Sequence, residues 1–220
     1  MDIILQKQYY TRNNILPNYF CNDIIKNYEE NHKLHELGRT MGELDNNRRK
    51  VTTLCIPKNN NKWRYIENIL LFTVMRHFHE YLKNINAYEL DEIFVLPEII
   101  IQKYEPKVDF YKNHIDFMIN HEMKIYRCAT FIIYLNTVEE GGETVFTDIY
   151  KEIPVAGKLV FFPSNWTFPH KAEPPISGSK YILTGWICRY YGGEYGVDSK
   201  EDIGAGMSKS VVVPNFLPKT

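Results

Sequence analysis

After residue 90 the spacing of apolar residues changes, and this change limits the fold more than any other feature. FVLPEIIIQKYEP, YRCATFIIYLN, AGKLVFFP and KYILTGWICRYY are short runs rich in β-branched and aromatic residues. Such side chains suit a pleated, half-buried surface. Turn residues separate the runs: Glu140-Gly141-Gly142, Pro154, Ala156-Gly157, Pro163, Pro174-Pro175 and Ser177-Gly178. Strands at this spacing predict a sandwich or a jelly-roll barrel.

The N-terminal third reads as helical support. Asn22 precedes DIIKNYEENHKL and predicts a capped helix start. A second helix is expected near 64–86, where Ile66, Leu70, Val74, Phe78, Leu82 and Ile85 recur at three- and four-residue steps. Between them RRKVTTLCIP alternates enough to be a strand, and its basic run Arg48-Arg49-Lys50 reads as a solvated turn or strand edge. The tail from Gly192, which includes VVVPNF, reads as an extension over the core. The expected organisation is one domain over 1–220, mainly β with supporting helices. Residues 1–95 supply helical support and leading strands, 96–191 a double-stranded β-helix (jelly-roll, cupin-like) core, and 192–220 a C-terminal extension.

Of 220 residues 44% are apolar, enough for a sizeable core, and the net charge of −1 supplies no global field toward nucleic acid or an anionic membrane. Cys21, Cys55, Cys128 and Cys188 are scattered without a C-x-x-C pair, which argues against a zinc knuckle or redox dithiol. No signal peptide or long apolar run is seen. The expectation is a soluble, cytoplasmic protein with no membrane or nucleic-acid partner.

Seven histidines are candidates for chemistry. His77 and His79 lie two apart on the expected helix and cannot share a face. His32 and His35 fall in a polar helix end, and His121 has no partner at a telling spacing. His114 and Asp116 remain, in FYKNHIDFM, with His170 after SNWTFP. If 114–116 is extended, His114 and Asp116 point to one face. With His170 they would form the two-His, one-carboxylate set of non-haem Fe(II) oxygenases, although a tetrahedral zinc hydrolase could use the same ligands. Lys180 begins the strand KYILTGWI, which a connection through EPPISGS would bring back beside the His170 strand. An inward lysine there needs a carboxylate partner, and the distal carboxylate of 2-oxoglutarate is one.

Taken together, HID, YLNTVEEGGETVFTD, AGKLVFFPSN and PHKAEPPISGSKYILTGWI resemble the catalytic domain of prolyl 4-hydroxylases, Fe(II)/2-oxoglutarate dioxygenases with a jelly-roll core. The resemblance is good from about Ile99 to Tyr190 and weaker over 17–98. It implies Fe(II) held by His114, Asp116 and His170. It implies 2-oxoglutarate held through Lys180 and Tyr104, with O2 as cosubstrate and ascorbate as an accessory reductant. Arg127 and Tyr111 match residues facing a peptide substrate, and Trp186 an aromatic lining the pocket. For Tyr111 and Trp166 packing is the competing role, and for Arg127 a salt-bridged scaffold role. Departures lie at Asn113, where the family usually has Pro, at Thr147 after GGETVF, and in the short loop between Asp116 and Arg127.

The implied activity is hydroxylation of a C–H bond, of a prolyl residue in a peptide or protein. Free amino acids or other small molecules, or a residue in a translation factor or ribosomal protein, are the same-class alternatives. A non-catalytic jelly-roll binding protein and a zinc hydrolase are the rivals from other classes. The oligomeric state is not legible.

Overall fold

The computed structural model describes residues 8–40, 42–58, 60–87 and 94–191. The expected C-terminal extension lies outside them. Among the described residues the α-helices α1 (Asn18–Glu30) and α2 (Asn61–Asn84) accompany strands β1 (Tyr10–Arg12), β2 (Glu36–Leu37), β3 (Arg49–Lys50), β4 (Thr52–Cys55), β5 (Phe94–Val95), β6 (Ile99–Tyr104) and β7 (Phe110–His114). The chain continues through β8 (Ile119–Asn120), β9 (Ile125–Tyr134), β10 (Thr144–Phe146), β11 (Tyr150–Glu152), β12 (Leu159–Pro163), β13 (His170–Ala172) and β14 (Lys180–Tyr190). Among the described residues the strands make two antiparallel sheets. The major sheet runs β1-β12-β9-β14-β6-β4-β2, with β5 on β14 and β8 on β9; the minor sheet runs β11-β10-β13-β7-β3. This is the expected mainly-β, two-sheet architecture. No helix among the described residues is long and apolar enough to cross a membrane.

Alternation decides which face each side chain covers. In β9, Phe131 and Ile133 pack under the helices while Ile132 and Tyr134 face the minor sheet. In β12, Leu159 and Phe161 lie on the helix side, Val160 and Phe162 between the sheets. The continuous apolar runs therefore mark strands covered on both faces. The helical cover is the α2 stripe, with Ile66, Leu70, Val74, Phe78 and Leu82 buried as its spacing predicts. Phe161 sits at the centre of this layer, stacked on Tyr81 with ring centroids 5.6 Å apart and touching Phe78 at 5.8 Å.

Three local expectations shift. Helix α1 starts upstream of Asn22: Phe20 and Cys21 donate backbone hydrogen bonds to the Pro17 carbonyl. The early turn forms because it buries those two side chains. Helix α2 begins at Asn60, whose side chain accepts from the backbone N–H groups of Lys62 and Trp63. The run RRKVTTLCIP is two strands: β3 pairs with β7 in the minor sheet, β4 with β6 in the major sheet. Val51 lies at the crossing and is buried between the sheets.

Phe161→Ala would remove the ring that joins α2 to the major sheet. It should cost about 3–5 kcal/mol of stability, read as a lower denaturant midpoint at unchanged m-value; a loss under 1 kcal/mol would place the helix–sheet anchor elsewhere.

Candidate active site

The minor sheet assembles the first part of the site. β13 lies antiparallel to β7 with His170 opposite His114, which joins two residues far apart in the chain. Between His170 and Ala172 the register shifts, so that Ala172 faces Tyr111. β7 therefore carries one extra residue, a bulge. Without it Tyr111 and His114, three apart, would point to opposite faces. With it their rings stack at 3.5 Å, nearly parallel.

β7 ends at His114, so strand alternation does not aim Asp116. The major sheet does. Thr130 Oγ1 donates to Asp116 Oδ2 at 2.8 Å and lies 2.9 Å from Ser164 Oγ. Arg127 Nη1 donates to the Asp116 carbonyl at 3.4 Å. His114, Asp116 and His170 each place one ligand atom so that all three atoms fall within 4.8 Å of one another. His114 Nε2 is 3.7 Å from Asp116 Oδ1, and His170 Nε2 is 3.5 Å from Oδ2.

The imidazole tautomers follow from their backbone contacts. His114 Nδ1 lies 2.8 Å from the Lys112 carbonyl and His170 Nδ1 3.2 Å from the Phe168 carbonyl. A carbonyl only accepts, so each Nδ1 carries a proton and each ring turns its Nε2 toward Asp116. Burial, then the facing His170, push the His114 pKa well below its ordinary value, so it stays neutral. Burial alone would raise the Asp116 pKa, but His170, His114 and the Thr130 hydrogen bond outweigh it and hold the carboxyl below its ordinary value. Two imidazoles turned with Nε2 toward one carboxylate are a donor set that fits a divalent first-row metal such as Fe(II).

A cavity of about 920 Å³ runs between the sheets past these residues and is lined also by Tyr104, Thr144, Lys180, Ile182 and Thr184. Lys180 pairs in register with Tyr104, is 1% exposed, and places Nζ 4.3 Å from the Tyr104 ring centroid. It donates to the Gly142 carbonyl at 2.8 Å and forms no ion pair among the described residues. Burial lowers its pKa to about 7, partly opposed by Glu143 and Glu173. A buried cation with only a carbonyl for company fits an anionic guest. Gly142 has φ +75°, and a Cβ there would meet Pro175 Cβ at 3.3 Å and Lys180 Cδ at 3.4 Å. The double-glycine turn thus lets backbone approach the lysine.

The strand carrying Lys180 does not return beside His170. β14 lies between β9 and β6 in the major sheet, and EPPISGS crosses from one sheet to the other because Pro174 and Pro175 end β13 after three residues. The cavity still brings the two side chains together. Tyr104 is buried, its hydroxyl donating to Gln102 Oε1 at 2.8 Å. A second bulge re-aims Arg127: Ile187 faces Ala129, but Cys188 faces Arg127, so the extra residue in β9 turns Arg127 to the cavity. Its guanidinium lies 3.3 Å from the Trp186 ring centroid. Trp166 is 78% exposed and does not pack. Thr130, Ser164 and Thr144 were not legible in the sequence as site residues; Thr144 accepts from Tyr134 at 2.7 Å, and its place in GGETVF was the available signal.

Known proteins resemble this chain over the strands that carry these residues. Residues 99–188 match the family model of the 2OG-Fe(II) oxygenase superfamily. Prolyl 4-hydroxylase subunit alpha-2 of Gallus gallus is 34% identical over 93 residues, covering 39% of this chain and 17% of that protein. A PKHD-type hydroxylase of Crocosphaera subtropica is 32% identical over 93 residues, covering 39% and 40%. The chain therefore spans less than half the length of these curated relatives. Among solved structures, the viral collagen prolyl hydroxylase of Paramecium Bursaria Chlorella virus-1 superposes with a TM-score of 0.62 at 20% identity, covering 86% of this chain and 100% of that one. This likeness shows a shared fold, the jelly-roll core.

Thr130→Val would strip the hydroxyl that orients Asp116 and leave the fold's volume intact. Mn(II) affinity, measured by calorimetric titration, should fall roughly 10–100-fold; unchanged affinity would show that Thr130 plays no part in orienting the carboxylate.

Proposed function

We propose, from the match of residues 99–188 to the 2OG-Fe(II) oxygenase superfamily model and the similarity to prolyl 4-hydroxylases, that this chain is an Fe(II)- and 2-oxoglutarate-dependent dioxygenase that hydroxylates a prolyl residue in a peptide or protein. The observation that carries this reading is the presence, in one cavity, of the His114–Asp116–His170 cluster and a buried, carboxylate-free Lys180. A zinc hydrolase would have no use for the second feature. The relative of PKHD type is about as similar as the prolyl 4-hydroxylase relative. The prolyl substrate therefore rests on the cleft and its aromatic and cationic walls rather than on sequence similarity. The helices and both sheets share continuous cores, which supports reading the described residues as one catalytic unit.

In this reading His114, Asp116 and His170 hold Fe(II) from one side. Bound Fe(II) with 2-oxoglutarate and O2 supplies the oxidising power for C–H hydroxylation, with succinate and CO2 as coproducts. Lys180 and Tyr104 receive the distal carboxylate of 2-oxoglutarate, and Gly142 steers Lys180 Nζ toward it. Thr144, whose oxygen accepts from Tyr134, has its own proton to donate into the cavity. Phe146 and Phe162 pack around His170 and keep water from its inner face. Tyr111, Arg127 and Trp186 form the wall against which the substrate is set. Ascorbate serves as the reductant that keeps the iron ferrous.

The test is succinate formation by the purified chain with Fe(II), ascorbate and 2-oxoglutarate, slow alone and faster with a proline-rich peptide whose product is heavier by one oxygen atom. Asp116→Ala should abolish turnover; full activity would sink the metal assignment. Lys180→Ala should raise the KM for 2-oxoglutarate at least tenfold with a smaller change in kcat. A pH dependence follows from the lowered Lys180 pKa of about 7. Above that pH the empty lysine is neutral, and a bound carboxylate favours its protonated form, so binding takes up a proton. Affinity for 2-oxoglutarate should fall as pH rises from 7 to 9. Calorimetry in buffers of different ionisation enthalpy should show proton uptake at pH 8 that is absent in Lys180→Ala; zero uptake in the wild type would refute the pairing.

A further inference from the structure

The basic run Arg48-Arg49-Lys50 has no part in the reading above, yet it borders the same cavity. β3 is the edge strand of the minor sheet, and its Arg49 pairs in register with Tyr111. The Arg49 guanidinium lies 4.7 Å from the Tyr111 ring centroid, and Tyr111 stacks in turn on His114. Arg49 is thus one ring removed from the candidate metal ligands.

Arg39, Arg48 and Arg127 line this cavity with it. Among the described residues none of the four arginines is in an ion pair, whereas lysines 62, 103, 158 and 171 all are. Three of the arginines donate only to backbone carbonyls: Arg39 to Gly42 at 3.2 Å, Arg49 to Arg39 at 2.5 Å, and Arg127 to Asp116 at 3.4 Å. The Arg49 Nε–H is buried without any acceptor. Besides Asp116, the carboxylates on the cavity wall are Glu36 and Glu98, and Glu98 already accepts from Cys55 Sγ at 3.7 Å. The chain carries a net charge of −1, so this excess of guanidinium is local to the cleft.

A guanidinium offers a planar fork of donors that a carboxylate meets with two parallel hydrogen bonds. The same mouth exposes Ile115, Phe117 and Met118, which suits polypeptide side chains better than a sugar–phosphate backbone. Resting on the hydroxylase reading, we infer that Arg49, backed by Arg127, selects a substrate presenting a carboxylate close to the carbon that is hydroxylated. An acidic side chain flanking the target residue and the α-carboxylate of a small substrate are two sources of that one chemistry. Arg49 is a specificity residue here, and its half-buried guanidinium at the cavity wall supplies the donors.

The test uses the whole chain loaded with Mn(II) and 2-oxoglutarate without O2, so that binding is read without turnover. A fluorescein-labelled Gly-Glu-Pro-Glu-Gly peptide is compared by anisotropy with its Gly-Gln-Pro-Gln-Gly counterpart. N-acetyl-L-proline is compared with its amide as a competitor. One charged member should bind at least about tenfold tighter than its neutral twin: the Glu peptide if the source is a side chain, N-acetyl-L-proline if it is an α-carboxylate. Arg49→Gln should bring that ratio close to one, and Arg49→Lys, which keeps the charge and loses the fork, should leave it intermediate. Equal binding of both members of both pairs, binding of neither pair, or a ratio unchanged in Arg49→Gln would each overturn the inference. So would tighter binding of a phosphoserine peptide or a single-stranded RNA than of either carboxylate probe. Failure of the hydroxylase reading shows separately, as absence of 2-oxoglutarate binding in the same samples, and thermal melting of both variants confirms that they are folded.

Discussion

The pairing of β13 with β7 is the constraint on which the site depends. It sets His170 opposite His114, and a slip of one residue would turn one imidazole out of the cavity. The register is held from both sides. β10 places Phe146 opposite His170, and Phe146 and Phe162 meet edge-on at 4.8 Å in the core between the sheets. The bulge in β7 then adds Tyr111 to the same face. A short ladder buttressed by two phenylalanines thus fixes three aromatic rings, and only then can the major sheet reach across through Thr130 to orient Asp116.

Charge placement follows from burial. Lys180 is buried, Arg49 and Arg127 are half-buried, and Arg39 and Arg48 are exposed at the mouth; among the described residues none of them is in an ion pair. An unpaired cation is costly where it is buried; Arg49 recovers part of that cost over the Tyr111 ring, while its Nε–H goes unmet. The arrangement is consistent with a cleft whose electrostatics are completed by its ligands: an anion at the bottom beside Lys180, another at the mouth beside Arg49. Elsewhere, as at Lys158 and Glu152, 2.6 Å apart, the chain pairs its own charges.

How far the sequence could be read depends on the range of the interaction concerned. The α2 stripe and the apolar runs of β6, β9, β12 and β14 were legible because helix and strand periods are local. His114, Asp116, His170, Lys180 and Tyr104 were legible as candidates through their residue types and through a motif resemblance. The start of α1 was displaced from Asn22 to Pro17 because tertiary burial of Phe20 and Cys21 outweighed the capping preference. The split of RRKVTTLCIP into β3 and β4 was hidden for a similar reason: alternation continues unbroken along a run that changes sheets at Val51.

By itself, then, the sequence determined the mainly-β character, the helical cover and the residue types able to bind a metal and an anion, since each is written in short-range pattern or chemistry. Only the tertiary structure decided that β14 joins the major sheet, away from His170, while the cavity reunites them. It alone supplied Thr130 to Asp116, turned Arg127 and Tyr111 inward through two bulges, and carried Arg49 from a basic run to the cleft. Each of these rests on the register between strands distant in the chain, and register is set by packing across the core, which no local stretch of sequence contains.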